Sequence, residues 1–159
     1  MKKHSIPLDH FPRQFSERDI DYTHHPGLFK DFFKQPPEWE SFPKAIEDRL
    51  ERDYPREVLV DTLLNQYEDS NLLNPSFKEE ISLLREPTSF TVTTAHQPCL
   101  FTGPLYVLYK AASCIRLARS LSERHSQYNF FPVFIVGGED HDFEEMNHAR
   151  IFGKKVIWQ

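Results

Sequence analysis

Two short runs in the second half of the chain hold groups that could bind a polar ligand or move protons. The later run is Gly137-Gly138-Glu139-Asp140-His141-Asp142, and Glu144, Glu145, Asn147 and His148 follow within two helical turns. Folding alone does not require so many titratable groups. Close carboxylates repel one another, which raises at least one pKa unless a cation or a histidine intervenes, and either outcome serves acid–base chemistry. An acidic cap on a helix N-terminus would account for Asp140 or Asp142 but not for the histidines. Asp140 and His141 are therefore the candidate catalytic pair.

The earlier run goes from Ala95-His96-Gln97-Pro98 through Gly103-Pro104-Leu105-Tyr106, with Tyr109 and Lys110 further into the same helical pattern. It joins a polar cluster to a helix start, whose unpaired N–H groups and positive dipole end attract carboxylate or phosphate. His96 and Gln97 can donate to such a group, and Lys110 can neutralise it if the helix turns it inward. The plainer alternative is that His96 caps the helix and Lys110 is solvated. The expected binding residues are His96, Gln97, Gly103, Tyr106, Lys110, Glu139, Asp142 and His148.

On a continuous helix His141, Glu145 and His148 would share one face, an arrangement that could hold a metal. No H-E-x-x-H pair is present, and one helix seldom supplies every ligand, so structural or substrate-binding roles rank higher and no metal is expected. G-x-G-x-x-G and G-x-x-x-x-G-K-[ST] are also absent. Of the two cysteines, Cys114 sits in an apolar helical pattern and Cys99 in a loop without a paired base; neither is given a catalytic role.

The elements that must position these runs change along the chain. Residues 1–41 hold prolines and alternating aromatic and polar residues, and read as an extended arm. Residues 42–86 are helical in pattern: Ala45, Ile46 and Leu50 share one stripe, and Val58, Leu59, Leu63 and Leu64 another. A last helix between Pro75 and Pro87 buries Ile81, Leu83 and Leu84. Residues 87–159 begin with a β-branched strand, Ser89 to Thr94. A long, largely buried helix follows, with Leu105, Leu108, Ala112, Ile115 and Leu117 at helical spacing and Pro104 at its first position. The apolar run FFPVFIVGG suits a parallel strand covered on both faces, which makes a βαβ unit. KKVIWQ reads as the first strand of the next unit. The class is α/β: the start of a parallel sheet preceded by a helical, proline- and aromatic-rich region. A strand at the very end of the chain points to an incomplete domain.

Composition narrows the partners. A net charge of −5 with scattered Lys and Arg leaves no electrostatic footprint for nucleic acid. No apolar run approaches membrane-spanning length, and two cysteines do not make a disulfide framework, so a cytoplasmic location is expected, with no membrane partner.

The runs TAHQP, GPLYVLYKA and PVFIVGGEDHDFEEMNH, in that order and spaced by one helix and one strand, resemble the BshC family of bacillithiol biosynthesis. That family carries T-G-Q-Q-P or T-G-H-Q, then G-P-L-Y-x-x-Y-K-A, then P-V-F-W-x-x-x-E-D-H-D-F-x-E-x-x-H. The resemblance is sharp from Thr93 to His148 and loose before that. Two departures stand out. Ala95 replaces a usual glycine, which would strain a position needing a positive φ, and Ile135 replaces a usual aromatic.

The resemblance implies a Rossmann-like core and a ligase that joins the carboxyl group of cysteine to the amino group of glucosaminyl-malate. It further implies a full-length homodimer held by a C-terminal coiled coil that is absent here, so the isolated chain is expected to be inactive. How the carboxylate is activated stays open, with ATP or another nucleotide as the candidate cofactor. Two other readings are a metal-dependent hydrolase using His141, Asp142 and His148, and a non-catalytic half of a split protein.

Overall fold

The structure is a computed structural model that describes residues 6–11, 14–139 and 143–158. The chain divides between Tyr54 and Pro55 into two compact units, so the helices expected within 42–86 are shared between them.

In the first unit, α1 spans Glu17–His24 and α2 spans Phe42–Leu50. Residues 1–41 were expected to be extended, but α1 and three short 3-10 turns lie within them. A capping box starts α1. The Ser16 hydroxyl accepts from the Asp19 N–H, and the Asp19 carboxylate accepts from the Ser16 N–H at 2.9 Å and its O–H at 2.7 Å. The aromatics read as the mark of an arm instead pack on the helix, with Tyr22 against Phe29 and Phe33 at 5.7 and 5.3 Å between centroids. Ile46 is the buried residue of α2, while Leu50 is exposed.

In the second unit, α3 (Arg56–Asp69) and α4 (Pro75–Ser82) close over Val60, Ile81 and Leu84. Each of these contributes about 1.5–3 kcal/mol by burial. Asn74 caps α4 by accepting from the Phe77 N–H, and Pro75 takes the first helical position, where a missing N–H costs nothing. Of the expected stripes, Leu63 and Leu64 are half-buried but Val58, Leu59 and Leu83 are exposed.

The strands β1 (Ser89–His96) and β2 (Asn129–Val136) pair in parallel, from Ser89 opposite Asn129 to His96 opposite Val136. The helix α5 (Leu105–Arg124) connects them and packs on both, which is the expected βαβ unit. Successive residues of β2 point to opposite faces. Phe131 joins the α3–α4 cluster, while Phe130 stacks on Phe90 and lies near His125 at the end of α5. The start of the sheet is thus covered on both sides. Its far end is not, because Phe134, Ile135 and Val136 are exposed.

Two expectations need correction. The buried stripe of α5 is Val107, Cys114, Ala118 and Leu121, whereas Leu105, Leu108 and Ile115 are exposed, so the helix is only partly covered. Both stripes have helical spacing, and only the position of the sheet selects between them. Nor does KKVIWQ start a further parallel unit. The strand β4 (Lys154–Ile157) pairs antiparallel with β3 (His148–Ile151) through a tight turn at Phe152 and Gly153, both with positive φ. As a result His148 lies on a strand, and the preceding helix α6 is only Phe143–Met146. The helical face expected to align His148 with Glu145 does not exist.

Candidate functional site

The carboxyl end of β1 delivers His96, and the carbonyl of His96 accepts from the Gly137 N–H at 2.9 Å, directly after β2. The two polar runs therefore begin side by side at one rim of the sheet, where an open α/β sheet presents its ligands. Glu139 is exposed beyond Gly137. Asp140, His141 and Asp142 lie outside the described residues.

Between β1 and α5 the chain makes a turn at Leu100–Gly103, closed by the Gly103 N–H on the Leu100 carbonyl at 2.9 Å. Its central residues, Phe101 and Thr102, have φ of 50° and 70°. Left-handed backbone is costly for a bulky or β-branched residue, of order ~1–3 kcal/mol each. Such strain persists only where the surroundings hold it. Gly103 follows with φ 67° and ψ −158°, a conformation essentially reserved for glycine. Ala95, by contrast, takes no positive φ: it sits in β1 as ordinary extended backbone, so the strain expected from its Cβ does not arise.

The turn returns the chain to Pro104, which caps α5 rather than opening it, and the first turn of α5 brings Tyr106 to His96. The Tyr106 hydroxyl lies 2.7 Å from His96 Nε2, and His96 Nδ1 lies 2.9 Å from the Gln97 carbonyl oxygen. One turn further on, Lys110 points toward the strand. Its Nζ donates to the Ala95 carbonyl at 3.2 Å and stands 5.6 Å from the centre of the Tyr106 ring.

The opposite wall comes from β3. All four residues of β3, His148, Ala149, Arg150 and Ile151, line a cleft of about 720 Å³ together with His96, Phe101, Gly103 and Tyr106. His148 Nδ1 donates to the Glu144 carbonyl at 2.8 Å, since a carbonyl can only accept, which leaves Nε2 as the acceptor. Of the residues anticipated from sequence, His96, Gly103, Tyr106 and His148 meet in this cleft. Gln97 and Lys110 border it through their contacts with His96, Ala95 and Tyr106.

Arg150 and Phe101 were not anticipated. Arg150 follows His148 by two residues in a stretch taken for helix, and only the pairing of β3 with β4 brings it to the cleft. Phe101 belonged to the loop read only for its polar residues. The cleft offers two imidazoles, a phenol, a guanidinium and the start of a helix, a set suited to a polar substrate that carries acidic groups and hydrogen-bond donors.

Residues 1–159 match the family model described as "Bacillithiol biosynthesis BshC, N-terminal Rossmann-like domain". Among curated proteins, the chain is 38% identical over 147 residues to one from Cytophaga hutchinsonii and 40% identical over 147 residues to one from Flavobacterium psychrophilum. These matches cover 92% and 91% of this chain and 28% of each relative. A protein from Bacillus licheniformis is 36% identical over 131 residues, covering 82% of this chain and 24% of its own length. All three bear the name "Putative cysteine ligase BshC". The chain thus spans about a quarter of the length of the curated relatives it matches.

Proposed function

The chain belongs to the BshC family, as its N-terminal Rossmann-like domain, and on that premise we propose that it is the substrate-holding part of a cysteine ligase of bacillithiol biosynthesis. The reaction joins the carboxyl group of cysteine to the amino group of glucosaminyl-malate, forming an amide. The observation that carries this reading is the shared cleft of His96, Tyr106, His148 and Arg150 at the strand ends, beside the start of α5.

In this assignment the α5 start, Gln97 and Lys110 hold an anionic group of substrate or nucleotide, His96 and Tyr106 stand beside it, and Gly103 shapes the loop. Glu139, Asp142 and His148 contact the sugar substrate. Asp140 and His141 bind its ammonium or take its proton, which must leave before the nitrogen can attack. The chain carries neither G-x-G-x-x-G nor G-x-x-x-x-G-K-[ST], and ATP or another nucleotide stays the candidate for activating the carboxylate.

The same reading places the protein in the cytoplasm. Cys99 and Cys114 are both free, and no helix among the described residues is long and apolar enough to cross a membrane. The full-length protein acts as a homodimer, and the isolated 159-residue chain does not turn over.

The test uses a polypeptide of the relatives' full length that contains this chain. His141→Ala abolishes amide formation from cysteine and glucosaminyl-malate while leaving the melting temperature nearly intact. Unaltered activity would remove His141 from the chemistry, and a wild-type protein that forms no amide would remove the reading itself.

A further inference from the structure

His96 makes two hydrogen bonds of different kinds. Its Nδ1 faces the Gln97 carbonyl, which can only accept, so Nδ1 carries the ring proton. A neutral imidazole has one such proton, so Nε2 is an acceptor and the hydroxyl 2.7 Å away, that of Tyr106, must donate to it. The one proton of Tyr106 is thereby committed. Toward the cleft its oxygen offers lone pairs, which suit a ligand N–H or O–H and repel a carboxylate oxygen.

The surroundings favour the same kind of ligand. Among the described residues, charged or titratable side chains near the pair are Tyr109 and Lys110 on α5, Cys99 in the preceding loop, His148 and Arg150 on β3, and Glu139, two residues beyond the Gly137 N–H that bonds the His96 carbonyl. No described carboxylate lines the cleft. Cationic neighbours disfavour an ammonium and favour the neutral amine that can attack a carbonyl.

We infer that Tyr106 and His96 form a proton relay for the amine substrate, with the Tyr106 oxygen in contact with the amine. As the N–H proton passes to the Tyr106 oxygen, the tyrosine's own proton passes to His96 Nε2. The ring becomes an imidazolium whose two N–H groups face Gln97 and Tyr106. The nitrogen's electron pair forms the new C–N bond to the carboxyl carbon of cysteine, and the C–O bond from that carbon to its activating phosphate or nucleotide breaks, the leaving group taking that electron pair. No oxidation state changes, and the ring later returns its proton to water. This deepens the amide-forming reading and rests on it; Asp140 and His141 are left with binding the amine rather than deprotonating it.

Two measurements test the relay. In the full-length protein, Tyr106→Phe lowers kcat by about 100-fold or more with the KM for cysteine and the melting temperature essentially unchanged. A merely structural tyrosine would lower the melting temperature and raise the KM along with any loss of kcat, and a kcat within a few-fold of the wild type overturns the relay. Independently of turnover, long-range nitrogen–proton correlation spectra of the imidazoles at neutral pH show His96 protonated on Nδ1, with the Nε2 resonance shifted in Tyr106→Phe. A ring protonated on Nε2 overturns the relay. A wild-type protein that forms no amide sinks the ligase reading instead, and with it the amine role, whichever tautomer is found.

Discussion

Ala95 of β1 and Ile135 of β2 stand opposite each other in the parallel ladder, and they are the two departures noted within the motifs that resemble the BshC family. Where the pattern has glycine facing an aromatic, this chain has a methyl group facing a smaller branched side chain. Partners in a parallel pair point to the same side, so added bulk on one strand is offset by reduced bulk on the other. Restoring only the aromatic, by Ile135→Trp, crowds Ala95, whereas Ile135→Trp with Ala95→Gly is tolerated. Both positions are exposed, so a double-mutant cycle by urea denaturation is expected to give a coupling of only about 0.5 kcal/mol, and simple additivity would show that the two changes are unrelated.

Gly103 has no room for a side chain. A Cβ there would overlap the Sγ of Cys99 and come within 3.0 Å of its Cβ, and the backbone has φ of 67°. Gly103→Ala is expected to cost about 1–3 kcal/mol, and most of that persists when Cys99→Ala relieves the contact, because the backbone strain remains. Thr102→Gly should act the other way and stabilise by about 1 kcal/mol, since it removes a β-branched residue from left-handed backbone. Denaturant midpoints of the three variants check the signs.

The Arg56 guanidinium reaches three backbone carbonyls, those of Leu84 and Ser89 at 3.0 Å and of Pro87 at 3.3 Å, and so ties the start of α3 to the start of β1. Arg56→Met leaves part-buried carbonyls without this donor and is expected to cost about 2–3 kcal/mol. Arg56→Lys recovers less than half of that, because an ammonium cannot span the same fork. Equal stability of the Lys variant and the wild type in urea would refute the bidentate account.

The capping box of α1 makes that helix sensitive to acid. Hydrogen bonds from the Ser16 hydroxyl and N–H hold the Asp19 carboxyl below its usual value of 3.8. A carboxyl lowered in the folded state stabilises that state above the unfolded value. The contribution is lost as pH falls from 3.8 through the lowered folded value. Amide shifts of residues 17–24 should therefore move toward coil values below that pH, and Asp19→Asn should remove the pH dependence. A helix equally formed in the wild type on both sides of the transition would contradict it.

Much of this architecture could be read along the chain because it depends on local chemistry. The β-branched run at Ser89 to Thr94, the proline before α5 and the apolar run of β2 each signal their own element, and together they imply the βαβ unit. The polar residues at the strand ends stood out for the same reason: their density exceeds what folding needs. The helix α1 was missed because its apolar residues are few and its prolines and aromatics resemble an arm; the Ser16 and Asp19 spacing was the cue.

The residue types and their order determined the family pattern, the parallel strand pair and the rim at which His96 and Gly137 meet. Only the tertiary structure decided which side of α5 is buried, that His148 lies on a strand rather than a helix, and that Arg150 lines the cleft with Tyr106. A side chain's spacing sets which faces it can share, but several faces are compatible with one spacing. Hydrogen bonds and packing against distant residues, such as Val92 beneath Cys114 and Ile157 beside His148, select among them.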